Sequence, residues 1–322
     1  MNREAFILEM NRLGCINIPF CFVIDFEQIM PKLWRLDQPQ DDFMFMFNGK
    51  TSHETELSLP CPKKSFRFEK RPIAPKEYER MFNLTVNHIQ KGDSYLVNLT
   101  ADTKVDTDLT PEELFRIGTA KYKCILKNQF VCFSPETFVH IENGYIRAYP
   151  MKGTIDGSIP QAREQIMQDE KEAAEHATIV DLIRNDLSRV STSIRVERFR
   201  YYEVIQSHYG QLGQVSSEIS GKLPADYRQR IGDIIFELLP AGSISGAPKR
   251  RTLEIIQEAE GRERGFYTGI AGYFENGELD SCVLIRFMKP DGTYSSGGGI
   301  TCESLLDAEY QEMINKVYVP IH

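Results

Sequence analysis

The sequence predicts an α+β fold built mainly on antiparallel sheet. Strand-like and helix-like segments come in runs along the chain, not in the regular strand–helix alternation of a parallel sheet. With 322 residues, 41% of them hydrophobic, the chain can bury a substantial core. No internal repeat or low-complexity tract suggests a solenoid or a disordered tail.

Residues 15 to 72 mix short apolar stretches, Phe20 to Phe26 and Phe43 to Phe47, with Pro19, Pro31, Pro39, Pro60, Pro62 and Pro72, which predicts short strands and turns. From Pro75, Tyr78, Met81, Phe82, Val86 and Ile89 recur at helical spacing until Gly92-Asp93 stops them, and a strand is expected over Tyr95 to Thr100. Thr110-Pro-Glu-Glu starts a second helix, with threonine as N-cap and proline at the first helical position. Strands are expected over 121 to 133 and 138 to 148, a long helix over 160 to 189, and further helices over 226 to 238 and 248 to 259. A hairpin pair over 267 to 275 and 279 to 288, a strand over 293 to 296 and a last helix over 306 to 317 complete the pattern.

The net charge of −8, with no Lys/Arg run to offset it, argues against nucleic acid as a partner. Seven cysteines, Cys15, Cys21, Cys61, Cys124, Cys132, Cys282 and Cys302, are an odd set without Cys-x-x-Cys spacing, which reads as buried thiols in a reducing compartment. The apolar stretch Ile16 to Ile24 follows Glu4, Glu9 and Arg12 and has no signal-cleavage pattern after it; no run approaches the ~20 residues needed to span a bilayer. A cytoplasmic protein without a membrane anchor is expected.

Several residues carry candidate chemistry. Glu175, Ile179 and Leu182 share one helical stripe, so Glu175 is either a partly solvated boundary glutamate or the partner of something positive. Glu309 and Glu312 stand at i, i+3 on the last helix, as a solvated acidic face or as oxygen ligands of the kind that suit Mg²⁺. Gly297, Gly298 and Gly299 after the strand could bring backbone N–H groups close to an anion, or simply form a flexible turn. Alternation places Arg286 on a strand face with Cys282, Leu284 and Met288, where its planar fork could read a carboxylate or serve a structural ion pair. Lys152 lies where a strand, Tyr145 to Ala148, passes into a Gly-Thr turn, a candidate amine nucleophile or a solvated strand-end lysine. The segment Pro240-Ala-Gly-Ser-Ile-Ser-Gly-Ala-Pro-Lys249 lacks the Gly-Lys-[Ser/Thr] order of a nucleotide-binding loop, and Lys249 reads there as a helix-start charge.

Taken together, Ser134-Pro-Glu136, Pro150-Met-Lys-Gly-Thr154, Ala174-Glu-His-Ala-Thr-Ile-Val-Asp-Leu-Ile-Arg184 and Pro240 to Lys249 resemble the chorismate-utilising enzymes, in that family's order and over residues 76 to 318. The resemblance implies an anthranilate-synthase-like fold: large, mostly antiparallel sheets with helices outside and the active site between the sheets. The whole chain, 1–322, would form one chorismate-binding domain, with a short strand-rich part (1–75) ahead of the core (76–318).

Within the family, Pro-Met-Lys-Gly-Thr looks most like aminodeoxychorismate synthase component I. That resemblance implies Lys152 as the nucleophile adding at C2 of chorismate and Glu136 as the acid for the departing 4-hydroxyl. Gly153, Thr154, Tyr267, Arg286, Gly297, Gly298 and Gly299 would bind substrate, and Glu175 and Glu312 would bind Mg²⁺, with Glu309 left open. Ammonia would come from a separate glutamine amidotransferase subunit and the product would pass to an aminodeoxychorismate lyase.

Anthranilate synthase component I, which usually has alanine at the Lys152 position, isochorismate or salicylate synthase, and a non-enzymatic chorismate-binding regulator are the alternatives. The family's His-Leu-x-Ser histidine is replaced in Gln211-Leu-Gly-Gln-Val-Ser216, with His208 nearby, which favours a product that keeps its enolpyruvyl group. The short amino-terminal part speaks against feedback inhibition by tryptophan.

Overall fold

The computed structural model of the chain describes residues 1–38, 41–52, 66–207 and 210–321. Among these, the helices are α1 (Arg3–Cys15), α2 (Pro75–Gln90), α3 (Pro111–Ile117), α4 (Ala162–Gln168), α5 (Glu170–Ser188), α6 (Ile231–Leu238), α7 (Lys249–Glu260) and α8 (Leu306–Asn315). Two antiparallel sheets lie face to face, each of nine strands among the described residues. The first runs Met151–Asp156, Gly210–Lys222, Tyr145–Ala148, Thr137–Glu142, Glu278–Val283, Ile270–Glu275, Phe20–Ile24, Lys32–Arg35, and Thr192–Ser207 also pairs with Gly210–Lys222. The second runs Gly246–Ala247, Leu96–Thr107, Thr293–Ile300, Phe287–Met288, Phe130–Ser134, Tyr122–Leu126, Phe43–Phe47, Lys50–Thr51, with Phe68–Arg71 beside Leu96–Thr107.

Period-two geometry explains the apolar runs. In Phe20–Ile24, Phe20, Phe22 and Ile24 pack outward against α1 and α6, while Cys21 and Val23 face the second sheet. Phe43, Phe45 and Phe47 answer from the second sheet, and Met44 between them points to its outer layer with α3. A strand buried on both faces must read as an unbroken hydrophobic run, which is how both segments read. The helices cover the outer faces: α2, α7 and α8 pack on Val97, Leu99, Ala101 and Ile300.

The predicted fold class holds, with corrections in detail. Residues 3–15 form a helix with an Asn2 cap, ahead of the strand-rich part. The expected strands 121–133 and 138–148 are each a hairpin, turning at Asn128 and at Asn143-Gly144, all with positive φ. The long helix is interrupted at Asp169, which leaves α4 and caps α5 through Glu172 N at 2.9 Å. The largest unforeseen element is the hairpin Thr192–Ser207 and Gly210–Lys222, whose second strand is central to the first sheet. Thr110 closes its expected cap as a full capping box with Glu113. The expected helix over 226–238 begins instead with a 3₁₀ turn, Tyr227–Arg230, before α6.

Of the cysteines, Cys21, Cys124, Cys132 and Cys282 are buried thiols, Cys15 and Cys302 are exposed, and Cys61 lies outside the described residues. Among the described residues, no helix is long and apolar enough to cross a membrane.

Candidate active site

The chain crosses between the two sheets at Pro135-Glu136 and again at Leu284-Ile285-Arg286, and the two crossings are hydrogen-bonded to each other. Phe133 N donates to Arg286 O at 3.1 Å and Val283 N donates to Glu136 O at 3.1 Å. Each crossing therefore presents a functional side chain beside the other. Alternation misplaces Arg286: it is not in a strand but in the left-handed region, φ 54°, where the strand Glu278–Val283 of one sheet gives way to Phe287–Met288 of the other. That conformation costs a non-glycine residue about 1–2 kcal/mol. Its guanidinium lies over the Tyr318 ring, 5.2 Å from the centroid, and its Nε is buried with no hydrogen-bond partner. A buried donor left open is suited to an incoming anion. Tyr267 is also buried, its ring 5.8 Å from Phe287, and burial pushes its phenol up.

Lys152 does not sit in a turn. It belongs to Met151–Asp156, where the register slips between Met151 and Thr154. That bulge has Gly153 at φ 92°, a value that favours glycine, and a Cβ there would stand 3.0 Å from Glu172 Oε2. The Lys152 ammonium meets Glu175 at 2.6 Å, so Glu175 does hold something positive. Burial pulls this lysine down, but the hydrogen bond to Glu175 and the charges of Glu175, Glu172 and Glu312 outweigh it and hold the group above the ordinary lysine value. Thr154 follows in the same strand, opposite Gln214.

The glycine triplet is likewise not a turn. Gly297, Gly298 and Gly299 continue the strand Thr293–Ile300, paired with Thr100, Leu99 and Asn98. Without side chains they leave room for α8: a Cβ on Gly298 would lie 3.3 Å from Glu309 Oε2 and 3.5 Å from Glu312 Oε1. Glu312 pairs with Lys316 at 2.5 Å, and Lys316 also donates to Gly297 O at 2.9 Å. Glu309 accepts from Ser304 at 2.7 Å, and burial raises its carboxyl. Glu136 is half-buried; burial raises its carboxyl against the opposing pull of Ser243, Arg286 and Lys316.

These side chains share one field: Lys152 feels Glu312, Glu309 feels Lys152, and Glu136 feels Arg286 and Lys316. The site pairs a raised acid and an amine with carboxylates from α5 and α8. Such hard oxygen donors suit a divalent cation, and Glu172 Oε2 is buried with no partner. Among the described residues no three His, Cys, Asp or Glu side chains are grouped to hold a metal alone, so a cation here would draw its remaining ligands from water and substrate.

Residues 37–322 match the family model for chorismate binding enzymes. The chain belongs to the chorismate-binding enzymes. It is 47% identical to an uncharacterised PabA-like protein of Pasteurella multocida over the whole of both chains. It is similar to the crystal structure of anthranilate synthase component I from Streptococcus pneumoniae (TM-score 0.67, 30% identity, 82% of this chain and 62% of that one). The menaquinone-specific isochorismate synthase of Escherichia coli shares the fold (TM-score 0.73, 18% identity, 97% and 80% of the two chains).

This chorismate-binding enzyme has site residues that sequence reasoning did not name. Glu172 and Lys316 stand one helical turn from Glu175 and Glu312, and that spacing alone could have flagged them. Ser243, 2.5 Å from Glu136, and His176, buried with Nε2 2.6 Å from Ser217 Oγ and Nδ1 3.3 Å from Lys152 O, had no such signal. Gln211 is exposed at the end of its hairpin, opposite Gln206, and His208 lies outside the described residues. The amide beside Thr154 is Gln214. Lys249 is no surface charge: it pairs with Asp186 at 2.9 Å and donates to Leu238 O at 2.8 Å, largely buried.

Proposed function

We propose that this enzyme aminates chorismate at C4, the reaction of an aminodeoxychorismate synthase component I, within one chorismate-binding unit. The observation that carries the reading is Lys152, an amine held by Glu175 in a field that also reaches Glu312. In this reading Arg286, Tyr267 and the bare backbone of Gly297, Gly298 and Gly299 hold the substrate's carboxylates, and Gly153 and Thr154 border its ring. Glu175 and Glu312 would hold Mg²⁺, which when bound would neutralise a substrate carboxylate.

Lys152 must shed its proton before it can react, because its contact with Glu175 keeps it charged. The free amine adds its lone pair at C2 as the C4–O bond breaks, and Glu136 gives its proton to the departing hydroxyl, which leaves as water. Ammonia then adds at C4 and its electron shift expels the lysine amine, giving 4-amino-4-deoxychorismate. Gln214 is a neutral amide and cannot act as a base beside Thr154, which supports a product that retains the enolpyruvyl group. Ammonia would be supplied by a glutamine amidotransferase partner, and a lyase would convert the product to 4-aminobenzoate for folate synthesis in the cytoplasm.

The test is incubation with chorismate, ammonium and Mg²⁺, with and without EDTA, and products identified by mass spectrometry. A Mg²⁺-dependent 4-amino-4-deoxychorismate peak that disappears in Lys152→Ala supports the reading. Anthranilate or isochorismate as the product, or undiminished amination by Lys152→Ala, refutes it.

A further inference from the structure

Glu136 is gripped from a part of the chain more than a hundred residues away. Its Oε1 accepts a 2.5 Å hydrogen bond from the Ser243 hydroxyl, in the 3₁₀ turn Gly242–Ile244. That turn is fixed on every side. Arg264 donates to Ile244 O at 3.0 Å, Asn98 N donates to Ser245 O at 2.9 Å, and Ser245 Oγ donates to Ala241 O at 2.9 Å.

On its other flank the turn presses on α5. A Cβ on Gly242 would lie 2.8 Å from Asp186 Oδ2, and the same Asp186 oxygen pairs with Lys249 at the far end of the loop. Beside Glu136 and Ser243 lies a cavity of about 30 Å³, bordered also by Tyr149, Asp186 and Gly242. It is large enough for about one water molecule and too small for a ring-sized substrate. Ser243 thus has a rigid mount and one acidic target.

We propose that Ser243 is a positioning residue for Glu136, donating to Oε1 so that the transferable proton resides on Oε2. This rests on the reading of Glu136 as the acid. An oxygen already accepting a strong hydrogen bond is the poorer proton site, so the neutral carboxyl carries its hydrogen on the other oxygen. Without that choice the proton divides between two oxygens, only one of which can face the leaving group. The same donor favours the carboxylate, and it acts alongside Arg286 and Lys316, with the Cys282 thiol and the Asp186–Lys249 pair as the other ionisable groups nearby. Removing the hydroxyl therefore moves the acid's titration upward while leaving the proton misdirected.

The experiment compares Ser243→Ala and Ser243→Thr with the unaltered enzyme. Expected for Ser243→Ala is a fall in kcat of about tenfold, KM for chorismate within about twofold, and the limb of the pH profile that Glu136 sets raised by about one unit, the size of one hydrogen bond to a charged group. Ser243→Thr should restore both. An unmoved limb with undiminished kcat in Ser243→Ala overturns the proposal.

Infrared difference spectra against Glu136→Gln, taken across pH without turnover, read the Glu136 carboxyl directly. A carboxyl titration that shifts in Ser243→Ala while the activity profile stays put upholds Ser243 and refutes Glu136 as the acid. A titration that does not shift refutes Ser243. Should Ser243→Ala not fold, Ser243→Cys, of similar size and a weaker donor, is read by the same spectra.

Discussion

Removing Arg264 should unfold this enzyme far more readily than removing any surface charge. Its side chain is 1% exposed and its partner Glu260 0% exposed, joined through Nη2 at 2.6 Å and Nε at 3.0 Å. Arg264 also donates to Asn98 O at 2.6 Å and Ile244 O at 3.0 Å, so it ties a central strand to the Ser243 turn. In Arg264→Met, Glu260 keeps only its bonds from Thr100 N and Oγ1, each 2.9 Å, and a buried carboxylate loses its counter-charge. Breaking such a pair costs about 3–5 kcal/mol, a large share of a domain's total of about 5–15 kcal/mol. Replacing both partners, Arg264→Met with Glu260→Leu, removes the stranded charge but leaves two carbonyls without donors and Thr100 N and Oγ1 without their acceptor, about 1 kcal/mol each. The double variant should therefore cost no more than Arg264→Met alone, and less than the two single losses added together. Urea unfolding of the wild type, both single variants and the double variant measures this directly. A single-variant loss below about 1 kcal/mol, or losses that simply add, would refute the argument.

Glu136→Gln should reduce turnover by about 10²–10⁴-fold, the usual contribution of a general acid, with chorismate binding retained by equilibrium titration. Because the reaction needs Glu136 protonated and Lys152 neutral, and the lysine is much the weaker acid, activity should rise with pH and level off above the Glu136 pKa. Burial raises that pKa, so the levelling comes above the ordinary glutamate range, and a profile that levels within the ordinary range contradicts the assignment. Raised binding of that proton in the folded state also means that ionising Glu136 costs stability as pH climbs from about 4.3 through the raised value, visible as a declining Tm in wild type that Glu136→Gln lacks. Glu312→Gln should raise the Mg²⁺ concentration needed for half-maximal rate by at least about tenfold, read by titration after EDTA treatment. Gly153→Ala, at φ 92° and with a Cβ 3.0 Å from Glu172 Oε2, should cost about 1–2 kcal/mol in stability and lower kcat by displacing Lys152.

What could be read from the chain follows from how local each signal is. Phe20–Ile24 and Phe43–Phe47 announce themselves because both faces are buried, and α3 because its cap lies within four residues. The hairpin Thr192–Ser207 with Gly210–Lys222 hides for the opposite reasons. Its first strand is an edge, with Val196 and Phe199 exposed, and three register shifts break the alternation that would mark it. Lys152, Glu136, Glu175 and Glu312 each stand inside a short motif, but which of them meet in space cannot be read there. Lys152 meets Glu175 across a strand and a helix, and Ser243 meets Glu136 from 107 residues away. Nor does sequence mark a non-glycine residue in the left-handed region such as Arg286, which alternation places wrongly on a strand face.

The location of these failures has a physical reason. Within a sheet, backbone N–H and C=O groups are committed to neighbouring strands and side chains to one face or the other, so every position is occupied by the fold. Where the chain leaves one sheet for the other, that commitment lapses. Glu136 and Arg286 stand at two such crossings, Glu136 O accepting from Val283 N and Arg286 O from Phe133 N, so they can face a ligand without disturbing a ladder. Periodicity arguments describe only the committed part of the backbone, so they lose their hold just where the half-buried Glu136 carboxyl and the open Nε of Arg286 are placed.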